Sequence, residues 1–201
     1  MLNLKCILIT VLFGLLGCSD ISYKKDQEAS TNASKYPNLV KAWEEFAKAV
    51  LSEDFEQIKS LSTNCIKCSH CVENTTEERK AIDTIEKKNP DAWYDKRYNE
   101  LSYIPIDRFI KEDFNIVFDK QLKSRFLDES KLIFATGPKT EYTWPERCKN
   151  KELENKTSKY YEVLVLYRDP LNKSGDGASQ WAYAFVETAG VFKFFGYSTI
   201  P

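Results

Sequence analysis

The sequence lacks an excess of charge of either sign. It contains 29 basic and 30 acidic residues among 201, which gives a formal net charge of −1, and no segment of it forms a basic patch. Proteins that bind nucleic acid usually carry such a patch, so the composition gives no support for a nucleic-acid partner. The Gly-x-Ser-x-Gly and His-Glu-x-x-His signatures of common hydrolases are absent too, and His70 is the only histidine.

A long hydrophobic run is also missing. The longest apolar stretch, Ile7 to Gly17, is interrupted by Thr10. It is shorter than the roughly 20 apolar residues that a helix needs to span a bilayer. Lys5 precedes the stretch, and a short apolar run after a positive charge is typical of a signal peptide. We therefore expect the protein to be exported.

This apolar stretch ends in Leu15-Leu16-Gly17-Cys18, which resembles the lipobox of bacterial lipoproteins. The resemblance implies cleavage before Cys18, which would then carry a thioether-linked diacylglycerol and an acylated α-amine. Several acyl chains together make such an anchor stable. Ser19, not Asp, follows the cysteine, as in lipoproteins that enteric bacteria send to the outer membrane. We expect a lipid anchor in the cell envelope, in the outer rather than the inner membrane; the alternative is a plain secretory leader with an incidental cysteine.

The sequence predicts three parts. Residues 1–17 form the signal peptide, 18–36 the lipidated cysteine and a flexible tether, and 37–201 a single α+β domain. The tether prediction rests on a polar composition without hydrophobic periodicity. A cysteine-containing stretch at about 64–100 is expected to be an insertion in the domain.

Hydrophobic periodicity predicts four helices in the first part of the domain. Asn38 and Asp54 are expected to cap the first two helices, and a capping box of Thr75 and Glu78 opens the third. Asp107 is expected to cap the fourth helix, whose apolar pattern can continue to Phe126.

The second part of the domain is rich in β-branched and aromatic residues, which favour strands. Glycine-containing turns separate the last three strands, which are expected to form an antiparallel meander. Before them, the segment 101–106 can form a short edge strand, because Pro105 cannot donate to a ladder. The four later strands are predicted at Lys131–Ala135, Tyr160–Tyr167, Ser179–Thr188 and Val191–Thr199. Helices followed by strands indicate an α+β fold, with the N-terminal helices packed on one face of the sheet.

Four short segments resemble the nuclear transport factor 2-like superfamily, which includes the SnoaL-like proteins. They are Trp43-Glu44-Glu45-Phe46, Asp54-Phe55, Ala184-Phe185-Val186 and Phe192-Lys193-Phe194. The resemblance extends over about 38–200 at the level of element order. It implies a cone in which a curved antiparallel sheet wraps around a long helix, often with a pocket inside.

Aromatic residues are candidates for lining such a pocket. Trp181, Tyr183 and Phe185 alternate along one predicted strand, so they share a face of the sheet. Trp43 lies on the apolar stripe of the first helix. These four residues are expected either to form core or to line a pocket for a small apolar or sugar-like ligand.

Four cysteines remain once Cys18 and Cys6 in the leader are set aside. They are Cys65, Cys68, Cys71 and Cys148. Export to an oxidising compartment favours disulfides. Cys148 must then pair with one of the three clustered cysteines, which leaves the other two to pair with each other. The sequence does not choose among the three connectivities.

Two further interpretations of these cysteines stay open. The four thiolates could bind zinc, with His70 able to replace one ligand, since the Cys-x-x-Cys spacing suits half of a structural zinc site. A redox-active Cys-x-x-Cys is the other interpretation, but it requires a thiolate at a helix N-terminus, and no thioredoxin-like βαβ pattern surrounds these residues.

The sequence therefore predicts a membrane-anchored lipoprotein with a non-catalytic ligand-binding or interaction domain. No cofactor and no catalytic residue are predicted. The alternative is a small pocket enzyme of isomerase, dehydratase or hydrolase type, since enzymatic members of the resembled superfamily use Asp and Tyr as acid and base. Asp83, Asp107, Tyr161 and Tyr183 are candidates by residue type, but none of them matches a motif position.

Overall fold

The computed structural model of the protein describes residues 32–137, 145–148, 158–168 and 179–200. Within these ranges the fold is α+β, as predicted, with helices and an open six-stranded mixed sheet. The leader, Cys18 and the first part of the predicted tether lie outside the described residues. The helices are α1 (Pro37–Ser52), α2 (Phe55–Ser60), α3 (Thr76–Lys88), α4 (Pro90–Lys96), α5 (Ile106–Arg108), α6 (Phe114–Val117) and α7 (Lys120–Lys123). The strands are β1 (Ser62–Cys68), β2 (Tyr103–Pro105), β3 (Leu132–Thr136), β4 (Lys159–Arg168), β5 (Ser179–Thr188) and β6 (Val191–Ile200).

The strand order in the sheet is β2-β1-β6-β5-β4-β3. The meander of β4, β5 and β6 is antiparallel, as predicted, and β2 is the predicted edge strand. The prediction of an entirely antiparallel sheet is wrong, because β1 pairs with β6 in parallel. Parallel neighbours need a long crossover connection, and here the chain from 69 to 190 supplies it.

Strand β1 begins just before the stretch predicted to be an insertion. It pairs with β2 through Cys65, Ile66 and Lys67, and with β6 through residues at its two ends. The first residues of the 64–100 stretch are therefore part of the central sheet.

The predicted helix starts are right for two of the four helices. Asp54 caps α2 by accepting a hydrogen bond from the Gln57 amide at 3.0 Å. Thr75 and Glu78 form the predicted capping box of α3. Asn38 is not the cap of α1, because the helix begins one residue earlier at Pro37, a residue that suits the first turn.

The predicted fourth helix is interrupted. It begins at Ile106, not after Asp107, and it passes through a π-helical turn at Phe109–Asp113 before α6 ends at Val117. Asp107 instead forms an ion pair with Lys59 at 2.8 Å. Asp119 then caps α7, so the apolar pattern to Phe126 is divided between two helices and a turn.

The sheet carries apolar residues on both faces. Helices cover one face in the main core. A smaller cluster on the other face contains Cys65, Tyr103, Cys148, Val186 and Phe195. Phe194 belongs to the main core and Phe195 to the smaller cluster, as expected for successive residues of a strand. A β-bulge at Phe195 shifts the register of β5 and β6, because Phe185 pairs with Phe194 and Ala184 pairs with Gly196.

The glycine beside this bulge is required by a close approach of β1. A Cβ atom at Gly196 would lie 3.3 Å from the Lys67 carbonyl oxygen and 3.5 Å from the Ala184 Cβ. The first contact is tighter than a Cβ atom usually makes, so the β1 backbone would have to shift slightly, whereas the second is an ordinary van der Waals contact.

The described chain begins in a 3-10 turn, Asn32–Lys35, that lies against the edge strand β3. The Asn32 side chain accepts from the Phe134 amide at 2.9 Å and donates to the Phe134 carbonyl at 2.5 Å. These two hydrogen bonds resemble those between paired strands, and they cover part of the edge of the sheet at β3. Residues 32–35, which the sequence assigns to the tether, are thus attached to the domain.

Candidate functional site

The four aromatic residues predicted to line a pocket lie in or against the main core. Trp43, Tyr183 and Phe185 have at most 1% of their surface exposed, and Trp181 is partly buried. The Trp43 ring centroid lies 5.3 Å from that of Tyr183 and 6.3 Å from that of Phe185. Phe126 closes the group, with its ring 5.1 Å from Trp43.

The polar atoms of this aromatic core have partners inside the protein. The Trp43 indole donates to the Phe126 carbonyl at 2.8 Å, and the Tyr183 hydroxyl donates to the Val117 carbonyl at 3.4 Å. Burial raises the pKa of Tyr183 well above its usual value, so this hydroxyl stays neutral. Side chains therefore fill the space between α1 and the sheet, and these two polar groups are hydrogen-bonded to backbone carbonyls.

An open concavity among the described residues lies at the edge of this core, where Phe185 belongs to both. It has a volume of about 380 Å³ and is bounded by α1, by the β5–β6 turn and by the end of α2. Its apolar residues include Leu61, Phe185 and Phe192, and its polar residues are Asn38, Lys41, Glu45 and Lys193. This combination of an apolar floor and a few polar groups is typical of binding sites.

A smaller concavity of about 220 Å³ adjoins the first, because both are lined by Asn38 and Phe192. It is bounded by Lys35, Tyr36, Pro37, Leu39, Lys159, Tyr161 and Glu187. We call the two together the α1 groove. The first turn of α1 opens into it without a side-chain cap and without an acidic residue, so the positive end of the helix dipole faces this part of the groove.

The charge of the α1 groove is predominantly positive, because lysines outnumber glutamates four to two. One of the glutamates, Glu187, accepts a hydrogen bond from the Tyr161 hydroxyl at 2.9 Å. Burial, followed by this contact with Glu187, raises the pKa of Tyr161. Lys193 donates to the Ser60 carbonyl at one end of the groove.

The candidate acids and bases are widely separated. Asp83 is exposed on α3, and Asp107 is engaged with Lys59. Tyr183 is in the core, so Tyr161 alone of the four lies in the groove. Sequence reasoning missed the lysines of the groove, since Lys41 has the pattern of a solvated helix face and Lys159 stands at the start of a strand.

The four candidate cysteines lie together as two disulfides. Cys65 pairs with Cys148, with Cα atoms 5.5 Å apart, and Cys68 pairs with Cys71, with Cα atoms 5.3 Å apart. All four residues are buried. This arrangement leaves no thiolate for zinc, and burial of both sulfurs in the Cys-x-x-Cys segment is unlike a reactive site.

The histidine of the zinc interpretation has another partner. His70 is exposed, and its Nε2 lies 2.9 Å from the Thr199 hydroxyl. Within the described ranges, no group of three or more His, Cys, Asp or Glu side chains is arranged to hold a metal ion.

One carboxylate is buried outside the groove. Asp113 has no exposed surface, and its Oδ1 accepts from the Asn74 side chain at 2.6 Å. Its Oδ2 has no hydrogen-bond partner among the described residues. Burial raises the pKa of Asp113, although the Asn74 hydrogen bond and the nearby Arg108 partly oppose the shift.

Replacing this carboxylate should change how stability depends on pH. A raised pKa in the folded state gives Asp113 a stabilising contribution that is present below the unfolded value near 3.8 and is lost as pH rises through the folded pKa. Asp113→Asn should therefore gain stability relative to the wild type between pH 4 and pH 7. We expect this relative gain to grow as pH rises, because the wild type progressively loses the contribution of its protonated carboxyl.

Thermal or urea unfolding at several pH values measures this difference. Asp83→Asn, which neutralises an exposed carboxylate on α3, is the matched control. Its free energy of unfolding should depend on pH in nearly the same way as that of the wild type. A stability difference for Asp113→Asn that is the same at every pH would contradict the assignment.

No protein-family model matches the chain, and no curated protein or solved structure matches it either. In the part of the chain that the structure describes, no helix is both long enough and apolar enough to span a membrane. In its described residues, the protein is an α+β domain with a filled core, two disulfides and a cationic surface groove.

Proposed function

We propose that the protein is an exported lipoprotein, held on a membrane by lipid on Cys18, and that its domain is a non-catalytic binding module that uses the α1 groove. The observation that supports a binding module is the filled interior of the domain. Rings that could line an enclosed catalytic chamber pack on one another instead, while the concavity beside α1 opens to solvent.

Support for export comes from the leader and from the disulfides. The apolar run ends in the lipobox-like residues before Cys18. The pairing of Cys65 with Cys148 and of Cys68 with Cys71 suits an oxidising compartment. Ser19 after the lipidated cysteine favours the outer membrane.

We also propose that the domain is nuclear transport factor 2-like. Element order supports this assignment, because short helices precede a meander whose last two strands are joined through Gly190. A long helix, α1, packs on the sheet, as the resemblance implies. The filled interior is a departure from members that carry a pocket.

A small pocket enzyme is the second candidate, and one observation favours it. Tyr161 and Glu187 form a hydrogen-bonded hydroxyl–carboxylate pair in the groove. The shift in the Tyr161 pKa is upward, which makes this hydroxyl a weaker acid. The pair is therefore better suited to hydrogen bonding with a ligand than to proton transfer near neutral pH.

Incorporation of labelled fatty acid in a bacterial host tests the anchor. The wild-type chain with its leader should become labelled, and Cys18→Ala should not, because the acceptor sulfur is gone. Cys6→Ala is the matched control, since Cys6 lies in the leader and is removed on cleavage. Labelling that persists in Cys18→Ala, or that is absent from the wild type, would refute the proposal.

A further inference from the structure

We infer that the α1 groove, with the β5–β6 turn beside it, is the face by which the domain rests on an anionic phospholipid surface. This inference rests on the proposed lipid anchor and names the partner of the same groove. It draws on three observations: where the tether meets the domain, the charge of the groove, and an exposed apolar residue at its rim.

The tether joins the domain at the groove. Asn32 is fixed to β3 by two hydrogen bonds, and Lys35 and Tyr36, which follow it, line the smaller concavity. Thirteen residues, 19–31, separate Cys18 from Asn32. At roughly 3.5 Å per residue they can span at most about 45 Å, so the tether keeps this end of the domain within that distance of a membrane that holds Cys18.

The charge of the groove is complementary to acidic lipid headgroups. Its lysines are Lys35, Lys41, Lys159 and Lys193. Among the described residues none of the four forms an ion pair. Of the two glutamates, Glu187 is already the acceptor for Tyr161. Lysines attract an anionic surface over a Debye length, and a lipid anchor makes this contact intramolecular, so even a weak attraction can hold the domain in place.

An exposed apolar side chain projects from the rim of the groove. Val191 follows the tight turn in which Ala189 and Gly190 have φ values of 52° and 81°. The Val191 side chain is 55% exposed, the second-highest exposure among the large hydrophobic residues that the structure describes. An apolar residue that lines the same concavity as Lys41 and Lys193 suits the membrane interface, where the side chain enters below the headgroups and the ammonium groups stay among them.

Lysine labelling on the intact lipoprotein tests this orientation. The mature lipidated protein is reconstituted into vesicles of zwitterionic lipid, with or without roughly 30 mol% phosphatidylglycerol, and treated with an impermeant amine reagent. Reactivity is read residue by residue by mass spectrometry. Lys87 and Lys88, which are exposed on α3 and lie outside the groove, are internal controls in the same molecule.

We expect acidic lipid to lower the labelling of Lys41 and Lys159 by about threefold or more relative to Lys87 and Lys88, and high salt to reverse the effect. Lys41→Gln/Lys159→Gln should reduce the protection of Lys35 and Lys193, whereas Lys87→Gln/Lys88→Gln should not. Both groove lysines are exposed, so the first variant should fold normally.

Three results would overturn the inference. In the first, the groove lysines react as fast as the α3 lysines on acidic vesicles. In the second, they are protected to the same extent on zwitterionic vesicles as on acidic vesicles. Millimolar glycerol phosphate could protect them equally on zwitterionic vesicles, which would indicate a soluble anionic ligand. Failure of the lipid anchor is distinguishable, because an unlipidated protein would not float with zwitterionic vesicles.

Discussion

Removing the Cys65–Cys148 disulfide should lower the free energy of unfolding by about 4 to 5 kcal/mol. The two cysteines are 83 residues apart, so the bridge closes a loop that contains about half of the domain. A cross-link restricts the unfolded chain more as the loop that it closes becomes longer. For a loop of this size, the chain-entropy model gives a stabilisation of about 4 to 5 kcal/mol. The double variant Cys65→Ala/Cys148→Ala avoids leaving a free thiol in the buried cluster with Tyr103 and Phe195.

The second disulfide is the internal control for this experiment. Cys68 and Cys71 are three residues apart, and the same model gives their short loop only about 2 kcal/mol. Urea unfolding of Cys68→Ala/Cys71→Ala should thus show roughly half the loss. Equal losses in the two variants, or a larger loss from the short loop, would show that the bridges do not stabilise the protein through the unfolded chain.

Replacing Trp43 with alanine should cost about 4 kcal/mol. The indole is 1% exposed and packs against Phe126 and Tyr183. Truncation would leave a cavity that neighbouring rings cannot easily fill, and it would also remove the donor to the Phe126 carbonyl.

Trp93→Ala is the matched control, because Trp93 is only partly buried and contacts the Arg97 side chain at the surface. Its loss should cost about 1 kcal/mol, as for a partly exposed side chain. Chemical denaturation of both variants makes the comparison. If Trp43→Ala were no more costly than Trp93→Ala, the interior would be an open cavity instead of a filled core, and the enzyme candidate would gain support.

Local chemistry accounts for what could be predicted from the sequence. Strands β4, β5 and β6 could be predicted because their β-branched and aromatic residues lie between clear turn signals. Asp54 and Thr75 indicated helix starts because each side chain accepts a hydrogen bond from an amide only three residues away. Pro105 marked an edge strand for an equally local reason.

Features that depend on distant contacts were not predictable. Strand β1 consists largely of polar residues and cysteines, which lack strand alternation, and its parallel pairing with β6 is decided by the crossover between them. The apolar pattern after Asp107 gave no sign of the π-helical turn or of the break before Asp119.

The candidate site was even harder to predict from the sequence. Alternation placed Trp181, Tyr183 and Phe185 on one face, but whether they line a cavity depends on Phe126 and other rings far away in the chain. The α1 groove brings together a few residues each from α1, β4 and the strands beside the β5–β6 turn. Lysines at such spacings form no motif, so only the folded chain brings them together.

The anchor at Cys18 is the central claim, since the compartment of the disulfides and the orientation of the groove both follow from it. Intact mass analysis of the N-terminal peptide, taken from the protein purified from its native membrane, tests it most directly. We predict a peptide that begins at Cys18 and carries a diacylglycerol thioether together with an acylated amine. An intact leader, or a peptide that begins at or after Cys18 without attached lipid, would contradict the account.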